Sequence, residues 1–182
     1  MTISSGASPA PSATAFSSLP LSPEMLANLQ QLGYAQMTPI QAASLPLSLQ
    51  GRDLIAQAST GSGKTAAFGL AMVDRLNPRW FAVQGLVLCP TRELADQVAT
   101  EIRRLARAQD NIKVVTVYGG VPSRGQIASL ENGAHIVVGT PGRVMDLMER
   151  GKLDIANLKT LVLDEADRML DMGFLADIET VV

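Results

Sequence analysis

The chain has 182 residues, of which 47% are hydrophobic, 18% charged and 4% aromatic, the proportions of one globular domain with a sizeable core rather than a disordered, fibrous or disulfide-stapled chain. Its one cysteine, Cys89, cannot form an intramolecular disulfide, and no apolar run nears the ~18 residues that cross a bilayer, so a reducing, cytoplasmic setting without a membrane partner is expected. The net charge of −2, from 15 basic and 17 acidic residues, argues against a nucleic-acid binder that works through bulk positive charge. Residues 1–15 carry no charge and consist almost entirely of Ser, Ala, Pro, Thr and Gly. Such a segment cannot offset the entropy of ordering by burying apolar surface, which predicts a disordered tail and a single domain over 16–182. Residues 1–20 have neither the basic start nor the continuous apolar stretch of a secretory signal.

Beyond the tail, short aliphatic and β-branched runs bounded by turn residues predict buried strands over 53–57, 85–89, 114–118, 135–138 and 158–163. Helical patterns separate them. After Thr91, Leu94, Val98, Ile102 and Leu105 recur at helical spacing while Arg103, Arg104 and Arg107 fall on other faces. Strands alternating with helices imply an α/β fold with a parallel sheet and helices on both faces. In such sheets ligands gather at the carboxyl ends of the strands.

The first strand runs into Ala58-Ser59-Thr60-Gly61-Ser62-Gly63-Lys64-Thr65, and a helical segment over 66–76 follows. A polyphosphate needs a backbone that wraps it with N–H groups. Gly61 and Gly63 permit that path, Ser59, Thr60 and Ser62 complete it, and the helix N-terminus adds a positive dipole end. Lys64 brings a point charge to β- and γ-phosphates, and the Thr65 hydroxyl is a hard ligand for Mg²⁺. The usual pattern begins with glycine, where this chain has Ala58. Leu161-Val162-Leu163 then ends in Asp164-Glu165-Ala166-Asp167. Carboxylates at the tip of a buried strand suit a Mg²⁺ held through water by Asp164 and an attacking water positioned by Glu165. By itself the same run also reads as an acidic helix N-terminus, favourable to the helix dipole.

At these residues the sequence resembles the DEAD-box ATP-dependent RNA helicases, whose name is spelled by residues 164–167. The likeness covers nearly the whole chain after the tail. Gly33-Tyr34-Ala35-Gln36-Met37-Thr38-Pro39-Ile40-Gln41 resembles the family's adenine-reading motif, which implies that Gln41 reads the adenine edge and Phe16 stacks on the base. Met37 stands where proline is commoner. Pro90-Thr91-Arg92-Glu93-Leu94-Ala95, Gly119-Gly120 with Gln126, and Thr140-Pro141-Gly142-Arg143 resemble the family's RNA-backbone motifs, and Asp167 resembles a residue that couples domains. The resemblance implies a RecA-like P-loop NTPase fold that binds ATP and Mg²⁺, with RNA held by its sugar-phosphate backbone. It also implies RNA-stimulated ATP hydrolysis with local duplex unwinding in a monomer. A nucleotide-gated RNA clamp would use the same residues, so the motifs leave both open; a translocating DNA helicase fits the adenine-reading motif less well. Residues 88–97 and 167–174 are most similar to a bacterial subgroup that acts on ribosomal RNA, which implies a role in ribosome assembly.

The RNA motifs also make sense without the family. Thr91, and Thr140 with Gly142, each open a helix after a strand, where amides and hydroxyls suit an anion; Arg92 and Arg143 can add bidentate phosphate contacts. Each Thr also reads as a plain helix cap. His135 and Cys89 are expected to be structural. Trp80-Phe81 could stack on bases, but no basic cluster flanks them in sequence, so packing or a surface loop is expected. Residues 164–182 hold six acids and one base, which leaves the preceding 163 residues at +3, so net charge does not argue against backbone recognition at helix ends. Relative to the family, the Ser-Ala-Thr motif, the second RecA-like domain with its arginine finger and the last strands of the first domain would lie beyond Val182. The fold is thus expected to be truncated, with the strands flanking the missing one unpaired and the isolated chain poorly stable and inactive.

Overall fold

The computed structural model describes residues 2–4 and 14–182, the first three through their backbone alone. The chain divides into two compact units, the first comprising residues 1–75 with 104–110 and the second 76–103 with 111–182.

The first unit is helical around a short two-stranded sheet. A single 3-10 turn over Phe16–Ser18 precedes α1, Pro23–Gln31. Ser22 starts α1 by accepting the Met25 N–H at 3.1 Å, Pro23 occupies the first turn where no N–H is needed, and Met25, Asn28 and Leu29 are buried. Asn28 donates to the carbonyls of Arg104 and Leu105, both at 3.0 Å, which satisfies two acceptors at a helix end. The next helices are α2, Pro39–Ser48, and α3, Lys64–Asp74. Between them lies β2, Ile55–Gln57, paired in parallel with β1, Thr2–Ser4. The expected disordered tail is therefore corrected at Thr2–Ser4, while residues 5–13 lie outside the described residues. A strand edge offers a row of backbone N–H and C=O groups, and a segment without apolar character can still pair with them. The expected burial of β2 is corrected too: all its residues are exposed, Ile55 at 62%.

The second unit is a four-stranded parallel sheet in the order β4-β5-β3-β6. Its strands are β3, Gly85–Leu88; β4, Val114–Val117; β5, Ile136–Gly139; and β6, Thr160–Leu163. They alternate with α4, Arg92–Ala106, whose last turn belongs to the first unit; α5, Ser123–Glu131; and α6, Pro141–Glu149. The chain closes with α7, Ala166–Asp171, and α8, Leu175–Val181. β3 and β5 are buried throughout, as aliphatic runs covered on both faces should be. Leu86, Leu88, Val137, Val144, Leu147 and Met169 form the centre of the core at 0% exposure. Gly139 ends β5 because a Cβ there would collide with the carbonyl oxygen of Val117. Among the described residues β6 pairs with β3 alone and β2 with β1 alone, so one edge of β6 stays open and Leu163 is 36% exposed. Among the described residues the strands form two sheets where a single sheet was expected.

Candidate functional site

In the first unit, the loop between β2 and α3 has a shape set by glycine. Gly61 and Gly63 have φ of 78° and 88°, a region that L side chains rarely enter. Gly63 caps α3, so Lys64 and Thr65 are the first helical residues. Gln41 fixes this turn from α2: its side-chain oxygen accepts the Thr38 N–H at 2.9 Å and its Nε2 donates to the Gly63 carbonyl at 3.1 Å. A Cβ on Gly63 would lie 2.5 Å from that nitrogen, so the close approach also requires glycine. The Ser62 hydroxyl is buried and has no hydrogen-bond partner among the described residues. An orphaned donor beside exposed N–H groups at a helix start is what an anionic polyphosphate would satisfy. Ser59, Thr60 and Gly61 are exposed, and Lys64 and Thr65 half-buried, at the same turn.

Two more of the expected site residues lie in this unit. Gln41 is 1% exposed, with both ends of its amide bonded, so it holds the loop. Phe16 is 6% exposed and meets Tyr34 edge-on at 6.0 Å. Its ring belongs to the core, and Tyr34 is the half-buried aromatic in the segment leading to Gln41.

In the second unit, the pairings put Val117, Gly139, Leu88 and Leu163 in one row across the sheet. The loops that follow these residues carry Gly119-Gly120, Thr140, Thr91 and Asp164, so motifs far apart in sequence leave the sheet at one end. Arg92 lies close to Gly120, where a Cβ would be 3.5 Å from the guanidinium, and it is paired with Glu93 at 2.9 Å. Thr91 accepts the Leu94 N–H at 3.2 Å, the plain cap; Thr140 caps α6 without using its hydroxyl, which leaves that group for another partner. Pro90 and Pro141 are buried and shape their turns.

Gln126 and Arg143, expected at the RNA, are bound to their own loop. Gln126 accepts the Tyr118 N–H at 3.2 Å and donates to the Tyr118 carbonyl at 3.0 Å. Arg143 reaches Gln126 and the Val121 carbonyl, both at 3.1 Å. These side chains fix the path of residues 118–121, and exposed Gly119, Gly120 and Gly142 are left as bare backbone at this end. Tyr118 also donates from its hydroxyl to Asp96 at 3.2 Å, and partial burial with the Asp96 charge raises its pKa.

At the end of β6, Asp164 is 8% exposed and Glu165 adopts a left-handed conformation, φ 50° and ψ 51°. A non-glycine residue held there stores strain that the surroundings must impose, and the bend turns the chain from strand into α7. Arg168 donates to Glu165 at 3.4 Å, and Asp167 is exposed. Cys89 is fully buried; desolvation first, then the Asp164 and Glu165 carboxylates, push its thiol far above the usual value. The nucleophile is therefore suppressed, and Cys89 is core, as expected. Among the described residues no cluster of His, Cys, Asp or Glu is arranged to hold a metal, so a divalent cation would rest on hydroxyl and water ligands.

A glycine-turned loop opening a helix, with carboxylates and helix starts at parallel strand ends, defines a P-loop nucleotide-binding α/β protein. The family model described as DEAD/DEAH box helicase matches residues 38–182, and the chain belongs to that family. It is 55% identical over 170 residues to the ATP-dependent RNA helicase DbpA of Escherichia coli K12, covering 93% of this chain and 37% of that protein. The DEAD-box ATP-dependent RNA helicase CshA of Streptococcus pneumoniae is 48% identical, with 92% and 32% covered. A DEAD box protein from Methanococcus jannaschii superposes with a TM-score of 0.87 at 43% identity, covering 92% of this chain and 46% of that one. A Saccharomyces cerevisiae Dbp5 variant bound to RNA and ADP BeF3 gives 0.82 at 35% identity, with 92% and 42% covered. The chain thus spans about a third of the curated relatives it matches, and the fold is the RecA-like one expected.

Proposed function

We propose that this chain is the nucleotide-binding first domain of an RNA-dependent ATPase that separates RNA strands locally. The observation that carries the reading is the single row of strand ends in the second unit, which gathers Thr91, Gly119, Thr140 and Asp164 at one end of the sheet. ATP is the substrate: the backbone of residues 59–63 wraps its phosphates, Lys64 neutralises the β- and γ-oxygens, and Gln41 keeps the turn in shape. Thr65 in the first unit, and Asp164 through water in the second, are the residues that the family resemblance assigns to Mg²⁺, which would supply further charge neutralisation when bound. Glu165 positions the attacking water, its backbone locked by the strained turn into α7.

RNA is held by exposed amides and the free Thr140 hydroxyl, contacts that carry no base sequence. An arginine finger from a second domain would complete the site, an effect worth about 10³ to 10⁵ in related nucleotide hydrolases. Work on ribosomal RNA during ribosome assembly, as a cytoplasmic monomer, is supported by resemblance to the DbpA group alone. In the full-length protein, Lys64→Ala and Glu165→Gln are each expected to abolish RNA-stimulated ATP hydrolysis, the second with ATP binding retained. Normal turnover in either variant would refute the assignment. Hydrolysis without duplex separation in the wild type would instead identify a nucleotide-gated clamp.

A further inference from the structure

Trp80 and Phe81 are large side chains left 42% and 56% exposed in the loop that leads into β3. The same register that aligns the strand ends also aligns the strand starts, so residues just before β3, β4, β5 and β6 meet at the opposite end of the second unit's sheet. Gln84 donates its N–H to the His135 carbonyl at 2.8 Å, His135 to the Lys113 carbonyl at 2.9 Å, and Lys159 to the Gln84 carbonyl at 2.8 Å.

Polar groups hold the loop that carries the aromatics. The Gln84 side chain accepts the Asn77 N–H at 2.8 Å and donates to the carbonyls of Asn77 and Trp80 at 3.0 and 2.8 Å. His135, fully buried, accepts the Lys113 N–H on Nδ1 at 3.0 Å, which leaves its Nε2 to donate to the Pro78 carbonyl at 3.0 Å. Phe81 lies on the His135 ring, centroids 4.7 Å apart, and a Cβ on Gly133 would come within 3.2 Å of it. The Lys159 ammonium sits 5.9 Å from the centre of the Trp80 ring, within cation–π range. A buried amide and a buried imidazole therefore present two aromatic rings to water instead of folding them in.

The charge around them has one dominant sign. The segments that meet here bring Arg79, Lys113 and Lys159; the Lys113 ammonium donates to the Ser129 carbonyl at 2.9 Å, Glu131 pairs with Lys152 at 3.1 Å, and Asp154, which accepts the Ala156 N–H at 2.9 Å, is the one carboxylate with its charge unopposed by an ion pair among the described residues. No basic cluster is visible beside Trp80 in sequence, because the cations arrive from different strands. Exposed rings with cations beside them are the chemistry that grips unpaired nucleic acid, bases on the rings and phosphates on the ammonium groups. We propose that this end of the sheet is a second RNA contact, a stacking platform for unpaired bases formed by Trp80 and Phe81 and flanked by Arg79 and Lys159. It lies at the opposite end of the sheet from the strand-end loops, so it holds a flanking single strand and reads no sequence.

Trp80 is the only tryptophan of the chain, so its emission reports this surface alone. Titration of the intact chain with oligouridylate, without nucleotide, should quench that emission saturably and more weakly as salt rises. With end-labelled oligouridylate followed by anisotropy, Trp80→Ala should weaken binding about five- to a hundredfold, the range for one stacked base. Trp80→Phe should restore most of it, and Lys159→Ala should reduce the salt dependence. Emission blind to RNA, or affinity unchanged by Trp80→Ala, would overturn the proposal. Quenching by an acidic peptide and not by RNA would overturn it as well, in favour of a protein partner.

Discussion

The two units support their functional loops on different foundations. In the first, the phosphate loop leaves the exposed strand β2 and is kept in shape by Gln41, a buried side chain on a neighbouring helix. In the second, the loops leave a sheet whose central strands are buried throughout, and Gln126 trims one of them by closing two bonds on Tyr118. One loop depends on a polar clamp for its position; the others inherit theirs from the core. In both units a glutamine that the motifs place at a ligand also holds the backbone that would meet the ligand.

The largest test of this contrast is energetic. Leu86→Ala removes a fully buried side chain from β3 and should cost about 2–5 kcal/mol in denaturant unfolding. Ile55→Ala, at a site 62% exposed on β2, should stay within about 0.5 kcal/mol. Equal costs would break the comparison, since β2 would then be buried in solution. A cost for Ile55→Ala that appears only in a longer chain would show that a further strand covers β2.

A smaller pair of changes separates the clamps. Gln41→Ala removes two hydrogen bonds, each worth about 0.5–1.5 kcal/mol, and should weaken ATP binding roughly tenfold with RNA binding little changed. Gln126→Ala frees Tyr118 and Arg143, and should weaken RNA binding by a similar factor with ATP binding little changed. These are read by fluorescent nucleotide and labelled RNA titrations. Loss of both affinities in either variant would mean that the clamps do not act on separate loops.

The same contrast explains how much the sequence revealed. β3, β4 and β5 were legible because aliphatic runs report burial directly, and the phosphate loop and acidic turn because glycine and carboxylate spacing are local. Burial of β2 was misjudged: Ile55 is apolar, but burial depends on what pairs with a strand, and sequence does not show the partner. Pairing of Thr2–Ser4 was invisible for the same reason, since any backbone can join a ladder edge. For Phe16, Gln126 and Arg143, motif membership names a ligand and does not reveal the contacts that these side chains make within the protein. Base stacking by Trp80-Phe81 was set aside on sequence because Lys159 lies nearly eighty residues away and is brought close only by the sheet register.

The smallest effect concerns Cys89, at the junction of the buried sheet and its loops. Burial, reinforced by the Asp164 and Glu165 carboxylates, keeps the thiol protonated in the folded chain well beyond the ordinary value of 9.0. The unfolded chain releases that proton near 9.0, so the stability contributed by the raised pKa is fully present below that pH and is lost as pH rises above it. Between pH 9 and 10 the loss approaches about 1 kcal/mol. Cys89→Ala should remove this increment, so the difference between the wild-type and variant urea midpoints should shrink or reverse across that interval. A difference independent of pH would mean that the thiol is hydrated and that the second unit's core opens at the end of β3. The contrast would then fail where it is strongest, because the loop after Leu88 would no longer inherit its position from a closed core.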